Sequence, residues 1–349
     1  MERKLATIQK IDNLEPIPQA DRIETASILG WKAVVQKGQY KEGEAIVYFE
    51  IDSFLPIKPE YEFLRLNCYK KFEDGREGFR IKTRRMKGQI SQGLVMPISI
   101  LPAGNYPVGL DVTELLNIVK YAPPMPKCLM GLAKGKFPSF IPKTDETRVQ
   151  LLQEVINRHA CEDCYITEKI DGSSVTYFIR HGVFGVASRN LELKETDCAY
   201  WKWAKDNCVE DKLRNLECNI AIQGEIHGVG INGNPLQLSS IDVRFFNAFY
   251  IDTCQYLSFD DFTELIAQLG FKTVPILNTK FKLVNSIDML VKESIGKSVV
   301  NPKVWREGIV IRPLKEVMDM GMSISGFGNT GRLSFKVINP EYLLTNEGA

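Results

Sequence analysis

The residues best placed to do chemistry lie in Glu168-Lys169-Ile170-Asp171-Gly172-Ser173-Ser174. A lysine two residues before an aspartate and a glycine offers a nucleophilic amine, a carboxylate and a turn within one short stretch. If this stretch ends a strand, alternation puts Tyr165, Thr167, Lys169 and Asp171 on one face, so lysine and aspartate can share a cavity. Lys-x-Asp-Gly alone is short enough to arise by chance, and a hairpin entry with a surface lysine fits it equally well.

Three later stretches have a similar character. Glu225 stands in Gln223-Gly224-Glu225-Ile226-His227-Gly228, a carboxylate at the end of an apolar run. Glu307 opens Glu307-Gly308-Ile309-Val310-Ile311-Arg312. Lys336 lies in Leu333-Ser334-Phe335-Lys336-Val337-Ile338, where Ser334, Lys336 and Ile338 share one face. Each could be a solvated residue at a sheet edge. Together, four strands that each present a charge beside apolar packing describe one charged pocket.

Other candidates are weaker. Lys82-Thr83-Arg84-Arg85-Met86-Lys87 holds four cations in six residues, which fits either a solvated edge or a nucleic-acid contact. Cys161 and Cys164 form Cys-x-x-Cys after His159, but no second pair at zinc-like spacing exists, and eight cysteines in a chain of this kind read as free thiols. Gly326-Phe327-Gly328-Asn329-Thr330-Gly331 spells Gly-x-Gly-x-x-Gly, yet it precedes a strand instead of opening a helix, so a loop is expected.

The elements that must position these groups can be read next. With 349 residues, 44% hydrophobic and 25% charged, two globular domains are expected. A net charge of +1 favours no polyanionic partner overall, so any nucleic-acid surface must be local. No apolar run approaches the ~20 residues of a membrane span and no signal peptide follows Met1, so an intracellular, cytoplasmic protein is expected. Residues 1–120 read as a small β-barrel or sandwich, with runs at Trp31–Val35, Ala45–Ile51 and Gly93–Pro97. Residues 121–142, with Pro123, Pro124, Pro126, Pro138 and Pro142, read as a linker or covering segment. In 143–349 we expect a helix over Thr147–Arg158, a strand over Tyr165–Asp171, and a hairpin around His181-Gly182. A helix over Thr196–Leu216, strands at Ile220–Ile226 and Val243–Ile251, and a helix capped by Ser258 and Asp261 should follow. Strands at Gly308–Arg312 and Leu333–Ile338 complete the list. Irregular alternation of this kind suits antiparallel α+β architecture.

The ordered series Lys169-Ile170-Asp171-Gly172, Ser188-Arg189-Asn190, Gln223-Gly224-Glu225, Phe245–Tyr250, Glu307–Arg312 and Ser334-Phe335-Lys336 resembles the motifs of covalent nucleotidyltransferases. Ile141–Gln150 resembles RNA ligases in particular. The stretch Asp21–Pro56 resembles the OB domain that Naegleria-type RNA ligases carry ahead of their adenylation domain. DNA ligases and capping guanylyltransferases place the OB domain after the shared motifs, and the last motif here ends a few residues before Ala349, so they are the less favoured relatives. An RNA-binding protein with a degenerate catalytic domain is the alternative from another class, and retention of Lys169, Glu225, Glu307 and Lys336 argues against it.

The resemblance implies an ATP-dependent RNA ligase that joins 3′-hydroxyl and 5′-phosphate ends through lysyl-AMP on Lys169 and an adenylated 5′ end, in RNA repair. Lys336 would bind the α-phosphate and help depress the Lys169 pKa from its ordinary ~10.4. Asp171, Glu225 and Glu307 would hold Mg²⁺ or Mn²⁺ through water. Glu168 would read the adenine edge, Phe246 would stack on the base, and Arg189, Arg148 and Lys143 would meet ribose or phosphates. Core packing for Phe246, and ordinary surface charge for Arg189, Arg148 and Lys143, stay open as alternatives. Trp31, Tyr48, Phe49 and the Lys82–Lys87 run are the candidate RNA contacts of the OB domain, the three aromatics being equally at home in a barrel core. The expected partners are RNA ends or a nicked RNA-containing duplex, with a kinase or phosphatase where ends need healing; a monomer is expected. One departure stands out: the resembled motif often has a second lysine two residues before Lys336, where this chain has Ser334. Arg312 or Lys303 would then substitute, or one step would be slower.

Overall fold

The computed structural model describes residues 4–72, 74–121, 131–325 and 331–346, with the side chains of 323–325 and 346 left aside. Pro123, Pro124 and Pro126 of the expected linker, and Gly326 to Thr330 of the glycine-rich loop, lie outside the described residues. The chain divides into two compact units, one of residues 1–124 with 343–349, the other of residues 125–342.

The first unit is made of short antiparallel strands. Ala45–Phe49 pairs with both Ala6–Lys10 and Leu94–Pro97, and Ile23–Ile28 pairs with Asn13–Pro16 and Trp31–Gln36. A four-stranded sheet follows in the order Val119–Lys120, Ser53–Leu55, Glu77–Arg80, Tyr69–Lys71. Alternation sends Ile8, Val47, Phe49, Leu55 and Phe79 into one core with Tyr61, Val112 and Ile118. Trp31 and Phe49 are fully buried and Tyr48 is 1% exposed. All three expected aromatic contacts of the barrel are therefore buried: Phe49 faces the core, and Tyr48, on the opposite face of the same strand, is covered there with its hydroxyl donating to the Gln92 carbonyl at 2.7 Å. Within the basic run, Arg84–Met86 forms a hairpin with Gln89–Ser91, turning at Lys87 and Gly88, both at positive φ.

The second unit has two sheets. Seven antiparallel strands run in the order Ala133–Lys136, Leu191–Leu193, Val183–Ser188, Ser173–Arg180, Ile220–His227, Asp242–Tyr250, Gln255–Tyr256. Ala133–Lys136, inside the stretch read as linker, is thus an edge strand. His181 and Gly182, at φ 49° and 73°, close the expected hairpin with a two-residue turn. The helix expected over Thr196–Leu216 is two helices, Ala199–Asp206 and Val209–Arg214, broken where Cys208 takes φ 53°. They and Phe259–Gln268, whose N-terminus Ser258 caps by accepting from the Asp261 amide, cover one sheet face. Trp203, Tyr177, Phe245 and Phe271 fill that interface with mutual ring contacts.

The five-stranded sheet runs Thr147–Arg148, Phe335–Ile338, Gly308–Pro313, Asp163–Lys169, Ile276–Lys282. Its outer face, bearing Ile166, Ile309, Ile311, Phe335 and Val337, packs on Val149, Val155, Ile156, Ile287 and Leu290. The helix expected over Thr147–Arg158 begins only at Gln153. Thr147–Arg148 instead pairs in parallel with Phe335–Lys336, and a 3₁₀ turn over Val149–Leu151 links the two. This matters for the site, since a strand places Arg148 directly beside Lys336.

Candidate active site

The inward face of the five-stranded sheet follows from its register. Lys169 is paired with Gly308, Thr167 with Val310, and Tyr165 with Arg312; Val310 is in turn paired with Lys336. Lys169, Val310, Arg312 and Lys336 therefore share one face. Gly308 is needed for this approach: a Cβ there would stand 2.2 Å from the Val337 carbonyl. The other wall is the end of the seven-stranded sheet. Gly172 passes so close to Ile226 that a Cβ would lie 2.3 Å from its carbonyl oxygen, and the Gly172 amide donates to the Glu225 carboxylate. A cavity between the two sheets is lined by Thr144, Glu146, Thr167, Glu168, Lys169, Ile170, Glu225, Phe246, Val274, Val310 and Arg312.

Lys169 Nζ donates to Glu307 Oε2 at 2.6 Å, with both side chains largely shielded from solvent. Glu307 is held in turn by its neighbours. Arg306 donates to the carbonyls of Ser294, Glu293 and Ile295 at the end of helix Ile287–Ser294, and the Asn339 amide donates to the Glu307 carbonyl. Asp171 accepts from Asn232 at 2.7 Å and from the buried Tyr342 hydroxyl.

The electrostatics reverse one expectation. Burial works to lower the Lys169 pKa, but the carboxylates of Glu307, Glu225 and Asp171 outweigh it and hold the ammonium above its ordinary value. The depressed lysine is Lys336, brought down to about 7 by burial and by the cations Arg148 and Lys169. Burial and mutual repulsion push the carboxyls of Glu225 to about 8 and Asp171 to about 7. Unaided, the site stabilises a protonated Lys169.

Phe246 reaches the cavity by a local irregularity. Gln223 pairs with Asn247 and Gly224 with Phe245, which leaves Phe246 as the extra residue of a β-bulge. Phe245 and Phe249, fully buried and 3% exposed, are core, whereas half-buried Phe246 lines the cavity. Glu168 is 1% exposed; its Oε2 accepts from the Val299 amide at 2.7 Å, and burial raises its pKa. Lys143 donates to Asn190 at 3.3 Å, and exposed Arg189 pairs with Asp145, which brings these two residues to one rim.

Three contributors escaped the motif reading. Glu146 receives Arg312 at 2.9 Å and Ser334 at 2.8 Å, and Arg312 also donates to Ser334 at 2.7 Å and to the Phe246 carbonyl at 3.0 Å. Arg312 thus ties the bulge to the five-stranded sheet and is no free substitute for a missing lysine. Asn232 was marked only by turn chemistry in Gly230-Ile231-Asn232-Gly233-Asn234, and Tyr342 carried no sequence signal. The cysteine pair is separate from all of this, with Cys161 exposed and Cys164 buried, its thiol pushed up to about 12 by burial. No helix is long and apolar enough to cross a membrane among the described residues.

A family model described as RNA ligase matches residues 162–338, and one described as an OB-fold domain matches residues 5–98. The solved Naegleria gruberi RNA ligase with PPi is 38% identical and superposes at TM-score 0.87 over all of both chains. A variant of that ligase with ATP and Mn is 36% identical at TM-score 0.88, over 99% of this chain and 100% of that one. Another variant, with AMP and Mn, is 37% identical at TM-score 0.87 with the same coverage. No match is found among curated proteins. Two sheets enclosing a lysine ringed by carboxylates, after an OB-fold domain in the chain and with this likeness along its whole length, make it a member of the RNA ligase family.

Proposed function

We propose that this chain is an ATP-dependent RNA ligase whose covalent nucleophile is Lys169. The carrying observation is the amine of Lys169 at 2.6 Å from Glu307, on the floor of a cavity that also offers Phe246 and Glu168. Phe246 would stack on adenine, and Glu168, held by the Val299 amide, would accept from the exocyclic amine of the base. Lys336 and Arg148, side by side on paired strands, would take the α-phosphate and its neighbours. An arriving phosphate restores the charge that burial and like-charge repulsion deny Lys336. Arg189, Asp145, Lys143 and Asn190 form a rim suited to ribose or a terminal phosphate.

The carboxylate cluster fits a hard divalent cation, Mg²⁺ or Mn²⁺, because Asp171, Glu225 and Glu307 repel one another in a shielded site. The contact would run through water, since Mg²⁺ dehydrates reluctantly and usually keeps several waters. When bound, the cation supplies positive charge that offsets the carboxylates and favours the neutral amine. Lys169 gives up its proton along the hydrogen bond to Glu307 and its nitrogen attacks the α-phosphorus. The bond to the β-phosphate oxygen breaks, pyrophosphate leaves, and AMP stays on Nζ as a phosphoramidate. A 5′-phosphate oxygen then takes AMP from Lys169, and a 3′-hydroxyl attacks that activated phosphate and expels AMP.

The test is incubation with α-labelled ATP and Mg²⁺ or Mn²⁺. The chain should acquire acid-labile label, Lys169→Ala should not, and the alanine variant should still seal a strand that arrives already adenylated. Label surviving Lys169→Ala would refute the assignment.

A further inference from the structure

Both oxygens of the Asp171 carboxylate are taken by side chains from distant parts of the chain. Oδ1 accepts from Asn232 Nδ2 at 2.7 Å, across 61 residues, and Oδ2 accepts from the Tyr342 hydroxyl, across 171. The terminal torsion of an aspartate is soft. One partner leaves such a carboxylate free to turn, whereas donors on both oxygens fix its plane. Lys169, two residues earlier, hydrogen-bonds Glu307 alone among the described residues.

The two donors stand on rigid supports. Tyr342 is 7% exposed and lies in the first turn of helix Pro340–Asn346. That helix leaves the strand carrying Lys336 through the fully buried Asn339. The Asn339 amide donates to the Glu307 carbonyl, its side chain donates to the Arg306 carbonyl at 3.0 Å, and its Oδ1 accepts from the Glu341 amide at 3.0 Å. One residue thus anchors the Glu307 backbone and starts the helix that delivers Tyr342. Asn232 stands at φ 45°, in a loop that Asn234 closes by bonding both the amide and the carbonyl of Leu238. Glycine would take that left-handed backbone without strain. What asparagine adds there is its amide, and the amide goes to Asp171.

An Asp171 carboxylate free to turn has a competing partner, since the Lys169 ammonium lies within its electrostatic reach. A direct pair would tie up the amine and withdraw the carboxylate from a hydrated cation. We propose that Tyr342 and Asn232 are positioning residues that hold Asp171 off Lys169 and toward the water shell of the divalent metal. The proposal rests on the metal reading above, and both residues act through Asp171.

The test uses Tyr342→Phe, which keeps the packed ring and deletes the hydroxyl, and Asn232→Gly, which keeps the backbone. Each should raise the Mn²⁺ concentration that half-saturates covalent AMP labelling by roughly 10-fold, the order expected when a partner behind a metal contact is lost. At saturating Mn²⁺ the labelling rate should return close to that of the unaltered chain. A second readout needs no chemistry: in a Lys169→Ala chain with ATP, the Mn²⁺-dependent rise in melting temperature should move to higher Mn²⁺ by the same factor. Asp171→Asn supplies the discriminating background. A residue that acts through Asp171 has nothing left to position there, so adding Tyr342→Phe should change neither readout further. A second full loss in that background would overturn the proposal, as would unchanged Mn²⁺ dependence in both folded single variants. A slower rate at every Mn²⁺ concentration, with half-saturation unmoved, would leave Tyr342 a structural role only and overturn it too. Absence of label in the unaltered chain would count against the ligase reading alone, because melting still reports how Mn²⁺ is held.

Discussion

Replacing Ser334 with lysine should damage this protein, although lysine is what the resembled motif often has there. Ser334 is 1% exposed, and its hydroxyl accepts from Arg312 Nε at 2.7 Å while donating to Glu146 Oε1 at 2.8 Å. Arg312 and Glu146 are themselves an ion pair at 2.9 Å, with side chains only 3% and 13% exposed. Their charges are satisfied only as a set, and the arrangement holds the Glu146 carboxyl below its usual range despite burial. A lysine would remove two hydrogen bonds to charged groups, each worth about 1.5–3 kcal/mol. It would also press an ammonium against a guanidinium in a site with no room, adding about 1–3 kcal/mol from overpacking. The sum is at least about 4 kcal/mol, which for a unit of this size lowers the melting temperature by roughly 8–16 °C. Ser334→Ala, which forfeits the hydrogen bonds without the extra volume, should lose about three-quarters as much. Calorimetry measures the melting shift, and α-labelled ATP reports adenylation on the same samples. A lysine variant that melts with the unaltered chain and labels faster would refute this account of why the second lysine is dispensable.

Phe246→Ala should raise the KM for ATP by about 10- to 100-fold with little change in melting, whereas Phe245→Ala should cost about 3–5 kcal/mol of stability; steady-state adenylation and thermal melts separate the two. Asp319 holds Arg158 at 2.8 Å and His159 at 2.8 Å, and that pairing keeps its carboxyl well below the ordinary 3.8. A depressed carboxyl stabilises the fold above its unfolded pKa and stops doing so as pH falls through its folded one. Asp319→Asn should therefore melt earlier at neutral pH, and the gap should narrow only as pH drops below about 4; a gap that has already closed near pH 6 would refute this account. Thiol titration of the native chain should modify exposed Cys161, Cys208 and Cys254 quickly and leave Cys164 intact until unfolding, a pattern that rapid loss of the Cys164 thiol would contradict.

What the sequence made legible was whatever depends on period and order. Alternation placed Lys169 and Lys336 on inward strand faces, and the structure sets them across one strand from each other. What it left hidden depends on a single residue of slip or on partners far apart in the chain. Periodicity cannot choose among Phe245, Phe246 and Phe249; a bulge opposite Gln223 and Gly224 does, by making Phe246 the residue with no partner across the ladder. Composition cannot say which aromatics of a barrel face outward. Trp31, Tyr48 and Phe49 are all buried, Tyr48 on the strand face opposite Phe49, while Phe72 and Tyr121, in no conspicuous motif, fall on the sheet face away from Leu55 and Phe79 because Ser53–Leu55 and Glu77–Arg80 pair in one particular register. The charge on Lys169 was the hardest to foresee. Its sign follows from three carboxylates on separate strands and loops converging on one amine, with Arg148 placed beside Lys336 by a parallel pairing that helical spacing had masked. Burial alone would have favoured a neutral nucleophile. The carboxylates reverse that and keep the resting amine protonated until ligand charge enters, so the readiness of Lys169 to react is coupled to occupation of the cavity.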